Sequence, residues 1–180
     1  MELEIGIPGV RVRTLVSGDV AGLVRHANDP EVARHLRQRF PHPYTAEDAR
    51  WWIEHSQAGQ DDVAFGIEVD GEVAGCIGLV LQHDVHRFSA ELGYWLGRAH
   101  WRRQIMSATV RRFSDWVFAN LPLQRLYASV FVANPASARV LEKAGFEREG
   151  LLRRSVFKNE VFLDEWLYAR LAPDPDRSRP

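Results

Sequence analysis

The 180-residue chain is 46% hydrophobic and 26% charged with a formal net charge of −1, the balance of an ordinary soluble globular protein. That charge supplies no global field to draw the molecule onto nucleic acid or anionic lipid, so neither is expected as a partner. A single cysteine, Cys76, excludes an intramolecular disulfide framework and fits a reducing, cytoplasmic compartment.

The opening MELEIGIPGV has neither the basic region nor the long apolar run of a secretory signal. No apolar stretch reaches the ~20 residues that a spanning helix needs. The expectation is one domain over residues 1–171, followed by a disordered tail, 172–180, that ends PDPDRSRP.

In chain order, VRVRTL (10–15) alternates apolar and polar residues, the period of a half-buried strand. Ser17 and Asp19 offer capping oxygens to a short helix, VAGLVRHA. NDPEVARHL restarts a helix with Asn28 or Asp29 as cap and Pro30 at the first position, where its missing N–H costs nothing. Thr45, with Asp48 three residues on, forms a near-capping box before a helix whose apolar body is Trp51, Trp52 and Ile53.

VAFGIEVDGEVAGCIGLVLQ reads as two strands joined by Asp70-Gly71, a strong hairpin signal. FSAELGYWLG is a third strand, with Glu91 set among apolar neighbours. Ile105, Met106, Thr109, Val110, Phe113 and Val117 fall on one helical stripe. RLYASVF is a further strand, and Asn134 and Pro135 open a helix that Gly145 closes. Two closing strands run from Phe146 to Leu171 around Lys158-Asn159. The class is mixed α/β (α+β), a largely antiparallel sheet of about seven strands flanked by helices. The strand–helix–strand passage near 88–131 is expected to bring two parallel strands together.

Four stretches, NDPEVARHL, PYTAEDARWWIE, AELGYWLGRAHWRRQIMS and NPASARVLEKAGFEREGLLR, occur in an order that resembles the GNAT superfamily of acyl-CoA-dependent N-acetyltransferases. More narrowly, the chain resembles the branch of ribosomal-protein alanine N-acetyltransferases. The resemblance implies a splayed sheet with acetyl-CoA between the strand ending at Gly97 and the strand ending near Val132. It places pantetheine along Tyr94, Trp95 and Leu96, and the pyrophosphate on the backbone of Arg102, Arg103, Gln104, Ile105, Met106 and Ser107 at a helix N-terminus. Free N–H groups and the positive end of the helix dipole favour an anion there.

This loop departs from its relatives, which keep glycine where this chain has Arg102 and Gln104. Glycine tolerates positive φ and lets backbone approach phosphate. A left-handed Gln104 would cost about 1–2 kcal/mol, and its side chain could fill the phosphate volume. Conversely, Arg102 and Arg103 bring two guanidinium groups that pair well with phosphate, or they are simply solvated residues at a helix start.

Acetyl transfer needs a base for the ammonium and an acid for the departing thiolate. Glu91 is the candidate base, with a solvated strand glutamate as its alternative; Ser137 is the candidate acid, with first-turn capping as its alternative. Asn134 is read as a helix cap that the resemblance also places on the pantetheine arm. The tyrosine many relatives use as acid is Leu141 here, and Val156 stands where the ribosomal enzymes carry a carboxylate, with Glu160 in a turn nearby.

His83-Asp84-Val85-His86 is read as a solvated loop, and no metal is expected. Cys76 is read as core, and Arg111-Arg112 as continuing the basic character of the loop. Trp51 and Trp52 either line an acceptor pocket or pack the helix on the sheet, and Glu47 and Asp48 read as helix-start residues.

The expected function is acetyl transfer from acetyl-CoA to a primary amine, a protein N-terminus or a small molecule, with a homodimer implied by the resemblance. The alternative is a non-catalytic GNAT-like binding or scaffold protein with an impaired coenzyme site.

Overall fold

The computed structural model describes residues 1–58 and 62–174; the tail expected to be disordered lies, from residue 175, outside them. The strands are β1 (Glu2–Ile7), β2 (Val10–Arg13), β3 (Asp62–Val69), β4 (Glu72–Leu81), β5 (Ser89–Leu96), β6 (Arg125–Phe131), β7 (Glu147–Lys158) and β8 (Val161–Leu171). The helices are α1 (Val20–Ala27), α2 (Pro30–Ala33), α3 (Ala46–Gln57), α4 (Ile105–Asn120) and α5 (Pro135–Lys143). One eight-stranded sheet runs β1-β2-β3-β4-β5-β6-β8-β7. The strand beyond the expected seven is β1, whose alternating Leu3, Ile5 and Ile7 carry the period of two.

Local signals account for most boundaries. Asp70 and Gly71 both take positive φ, 51° and 90°, between the paired Val69 and Glu72, as a two-residue hairpin requires. Thr45 and Asp48 form the reciprocal capping box of α3. Asp29 caps α2 through the Glu31 amide, while the Asn28 side-chain Oδ1 accepts from the Tyr44 amide.

Three expectations change. Ser17 and Asp19 do not cap α1 with their side chains; the Asp19 carboxylate accepts from the Val16 amide and pairs with Arg13. Burial works against that carboxylate, yet Arg13 and the amide hold its pKa below the usual value. Trp51 is 61% exposed and stacks on His55, because the inward face of α3 is set by Ala49 and Ile53, four residues apart. The last hairpin turns at Asn159-Glu160, and Lys158 points inward from its shoulder.

Helices α4 and α5 cover one face of the sheet and α1 and α3 the other. The first core contains Ile77, Leu92, Val110, Phe113, Leu126 and Leu141. The second contains Leu15, Leu23, Tyr44, Ile53, Val73 and Cys76. Every residue of the expected α4 stripe is buried.

Candidate functional site

The site begins where two parallel strands part. β5 and β6 pair at Ser89–Arg125, Ala90–Leu126 and Glu91–Tyr127. Beyond that point β5 stays with β4 as far as Leu96, and β6 stays with β8 as far as Phe131. Two strand edges therefore face each other across a wedge.

The hydrogen bonds at either end of β5, Gln82 N to Ser89 O and Gly97 N to Ala74 O, set which residues face β4. The antiparallel alternation turns the backbone of Glu91, Gly93 and Trp95 toward β4, and that of Leu92, Tyr94 and Leu96 toward the wedge. Trp95 thus reaches the cleft by its ring and not by its backbone. The Leu96 carbonyl accepts from the Trp101 indole at 2.7 Å, which leaves its N–H for a ligand and pins the following loop to the strand end. A pantetheine-like arm would find the groups of Leu92 and Tyr94 and the Leu96 amide, the complement that an added strand uses.

Where the resemblance expects glycine, this loop takes left-handed backbone. Arg102 and Gln104 both stand at φ 60°, and Gln104 at ψ 2° is the N-cap of α4 without a side-chain capping bond. The first amides of α4, at Ile105, Met106 and Ser107, have no acceptor within the helix and sit at its positive end. One cavity of about 930 Å³ runs from Arg102 and Gln104 along β5 to Trp51 and His55 on α3. Arg103 turns instead to the His100 Nδ1, 3.2 Å away. Arg139 and Lys143, one turn apart on α5, also line the cavity; their i, i+4 spacing was the available signal. Arg111 donates to the Lys143 carbonyl at the end of α5, so it caps that helix.

Asn134 caps α5 through the Ser137 amide at 3.1 Å. The Ser137 hydroxyl lies 2.8 Å from the Tyr94 hydroxyl, which also donates to the Ser137 carbonyl at 3.3 Å. Burial pushes the Tyr94 phenol above its ordinary pKa, the Ser137 hydrogen bond acting the other way. It therefore keeps its proton at neutral pH. Sequence reasoning assigned Tyr94 only a backbone contact; 43 residues separate it from Ser137. Leu141, in place of the tyrosine of many relatives, is fully buried.

Glu91 lines the cavity near the vertex of the wedge and pairs with Arg37, from the segment after α2. A second carboxylate, Glu165 on β8, lines the same cavity and accepts from the Ser155 hydroxyl at 2.9 Å. No local signal marks it, since it is one of two adjacent acidic residues on a closing strand. Val156 pairs with Leu163 on the hairpin, and Glu160 lies in its turn with φ 63°, as expected.

Cys76 is buried and its thiol is pushed up to about 12 by burial, so it remains a protonated core residue. Asp84–His86 form a single 3-10 turn. Among the described residues, no group of three or more His, Cys, Asp or Glu converges to hold a metal, and no helix is long and apolar enough to cross a membrane.

The Acetyltransferase (GNAT) domain family matches residues 10–147. YjcK of Bacillus subtilis (strain 168) is 43% identical over 89 residues, 49% of each chain. The ribosomal-protein-serine acetyltransferase of Escherichia coli (strain K12) is 34% identical over 83 residues, 46% of each chain. The chain thus spans about half the length of these curated relatives. Among solved structures, Mycobacterium smegmatis RimJ in complex with CoA-disulfide superposes with a TM-score of 0.81 at 25% identity, over 91% of this chain and 82% of that one. With the family match covering most of the sequence and the wedge, loop and helix arranged as described, the chain belongs to the GNAT acetyltransferase family.

Proposed function

We propose that this chain is an acetyl-CoA-dependent N-acetyltransferase that transfers the acetyl group directly to a primary amine. The observation that carries the reading is the cradle itself: positive φ at Arg102 and Gln104 beside the open start of α4, at the mouth of a continuous cavity. A loop that had closed the site would have no reason to retain two left-handed non-glycine residues, at about 1–2 kcal/mol each. The scaffold alternative loses its main support for that reason.

Arg102, Arg139 and Lys143 would flank the phosphates, and Asn134 and the wedge-facing backbone of β5 would hold the pantetheine arm. The bound thioester supplies an electrophilic acyl carbon, at which a C–N bond forms as the C–S bond breaks. Glu91 takes the proton from the incoming ammonium through water. The Ser137 hydroxyl, oriented by its hydrogen bond with the Tyr94 hydroxyl, donates a proton to the departing sulfur and regains one from water. Orientation of these groups, held by the Tyr94–Ser137 hydrogen bond and the Arg37–Glu91 pair, supplies much of the effect.

Calorimetric titration with acetyl-CoA at low and moderate salt tests the reading. Binding that weakens with salt supports it, and absence of heat with no competition from coenzyme A overturns it. In turnover assays, Glu91→Gln lowers kcat by about 100-fold, and Tyr94→Phe and Ser137→Ala lower it by at least about tenfold with little change in acetyl-CoA affinity. Residues 1–171 acting as one domain, a cytoplasmic location and a homodimer belong to the same proposal; sedimentation equilibrium checks the last.

A further inference from the structure

The face of the sheet beneath α1 and α3 has a gap in its side chains, and strand register locates it. Ala64 on β3 pairs with Gly78 on β4, which pairs with Gly93 on β5. The neighbouring rows are Cys76–Trp95 on one side and Val80–Glu91 on the other. Cross-strand partners share a face, so Trp95 and Glu91 rise from the same surface with bare backbone between them. The gap is open at Gly93, where a Cβ would meet nothing within 4 Å, while at Gly78 a Cβ would meet the Val63 carbonyl at 2.4 Å, so no larger residue fits that part of the floor.

Aromatic rings wall this slot. Trp95 stands at one end and is met edge-on by Phe40, with ring centroids 5.7 Å apart and planes at 69°. Trp52 of α3 lines the same cavity and, like Trp95, packs on the core cluster that contains Cys76 at that end. The other end of the slot is Glu91, beside the vertex of the wedge.

The cavity holds few carboxylates without a cationic partner. Four carboxylates line it: Glu31, Asp48, Glu91 and Glu165. Glu31 is bonded to Arg34, and Asp48 to the Thr45 amide and hydroxyl. Glu91 is paired with Arg37, and Glu165 with the Ser155 hydroxyl. A polyamine would need a row of carboxylates without cationic partners, whereas Glu31 and Glu91 are paired with Arg34 and Arg37 and only Asp48 and Glu165 are held by neutral donors. A flat apolar body would need what the slot offers, a side-chain-free floor and aromatic walls.

Resting on the acetyl-transfer reading, we propose that the slot over Gly78 and Gly93 holds the body of the acceptor, and that the acceptor is a monoamine carrying a planar aromatic group, an arylalkylamine. The ring lies on the glycine floor against Trp95, with its amine toward Glu91.

The test compares kcat/KM, from coenzyme A release, for 2-phenylethylamine, spermidine and a peptide beginning with alanine, on the wild type and on Gly93→Val. A valine there enters open space, and its β-branch suits a strand. The arylalkylamine is expected to exceed the other two by about tenfold or more, and Gly93→Val to cut its kcat/KM by about twentyfold while acetyl-CoA affinity stays within about twofold. Equal or better turnover of spermidine or peptide overturns the proposal, as does an unaffected Gly93→Val. Calorimetry of 2-phenylethylamine on coenzyme-free protein separates the two readings. If acetyl-CoA does not bind, the acetyl-transfer reading fails. The slot is still supported by amine binding that Gly93→Val removes, and is overturned by its absence.

Discussion

The left-handed Gln104 is a single residue on which two requirements meet. The loop needs positive φ to turn its amides toward an anion, and a side chain with a Cβ resists that conformation. Gln104→Gly is therefore expected to raise the unfolding free energy by about 1 kcal/mol, read from urea denaturation, without loss of acetyl-CoA binding. A destabilised variant would mean that the Gln104 side chain holds the loop by contacts of its own. The sequence showed that glycine was missing at positions 102 and 104; it could not show that the backbone would keep the strained shape. That shape is imposed from outside the loop, by the Trp101 indole on the Leu96 carbonyl and the seating of Ile105 in the core.

At the level of elements, α1 and the turn before the phosphate loop meet through two histidines. The rings of His26 and His100 lie 5.1 Å apart. Burial lowers the pKa of both, helped by each residue's cationic neighbours: His100 and Arg25 for His26, Arg103 for His100. His35, beyond α2, is lowered by burial and by Arg34 and Lys158. The folded state thus resists protonation that the unfolded chain accepts near pH 6.5. The stability is fully present above that pH and falls as pH drops through 6.5 toward the folded values. The melting temperature is expected to rise between about pH 5 and 7, and the slope to flatten in His26→Gln/His100→Gln. An unchanged slope in the double variant would put the acid sensitivity elsewhere. The individual helices and hairpins were legible because caps, stripes and the Asp70-Gly71 turn act within four residues of chain. The exceptions were the α1 caps, the last hairpin turn, displaced by one residue, and Trp51, where an apolar type suggested an inward position that the helical phase denies.

Across the whole molecule, the far hairpin is tied to the segment that walls the cavity by one amine. Lys158, 7% exposed, donates to the carbonyls of Ala33 and Arg34 at 2.9 and 3.0 Å and also to that of Leu36. These groups end α2 and lead directly to Arg37, the partner of Glu91. Lys158→Met would leave three carbonyls without this donor, at a cost of about 2 kcal/mol in unfolding free energy. By loosening the Arg37 segment it should raise KM for the amine more than KM for acetyl-CoA. An equal rise in both would place the effect in the fold as a whole.

The sequence by itself determined the family, the order of strands and helices after β1, and the caps that open α3 and α5. These depend on residue type at short spacing, which the chain displays directly. Only the tertiary structure decided that Tyr94 meets Ser137, that Arg37 meets Glu91, that Lys158 closes α2 and that two glycines make a floor. Those partners lie tens of residues or more apart, and strand register, the divergence of β5 from β6 and the burial of the hairpin's shoulder bring them together.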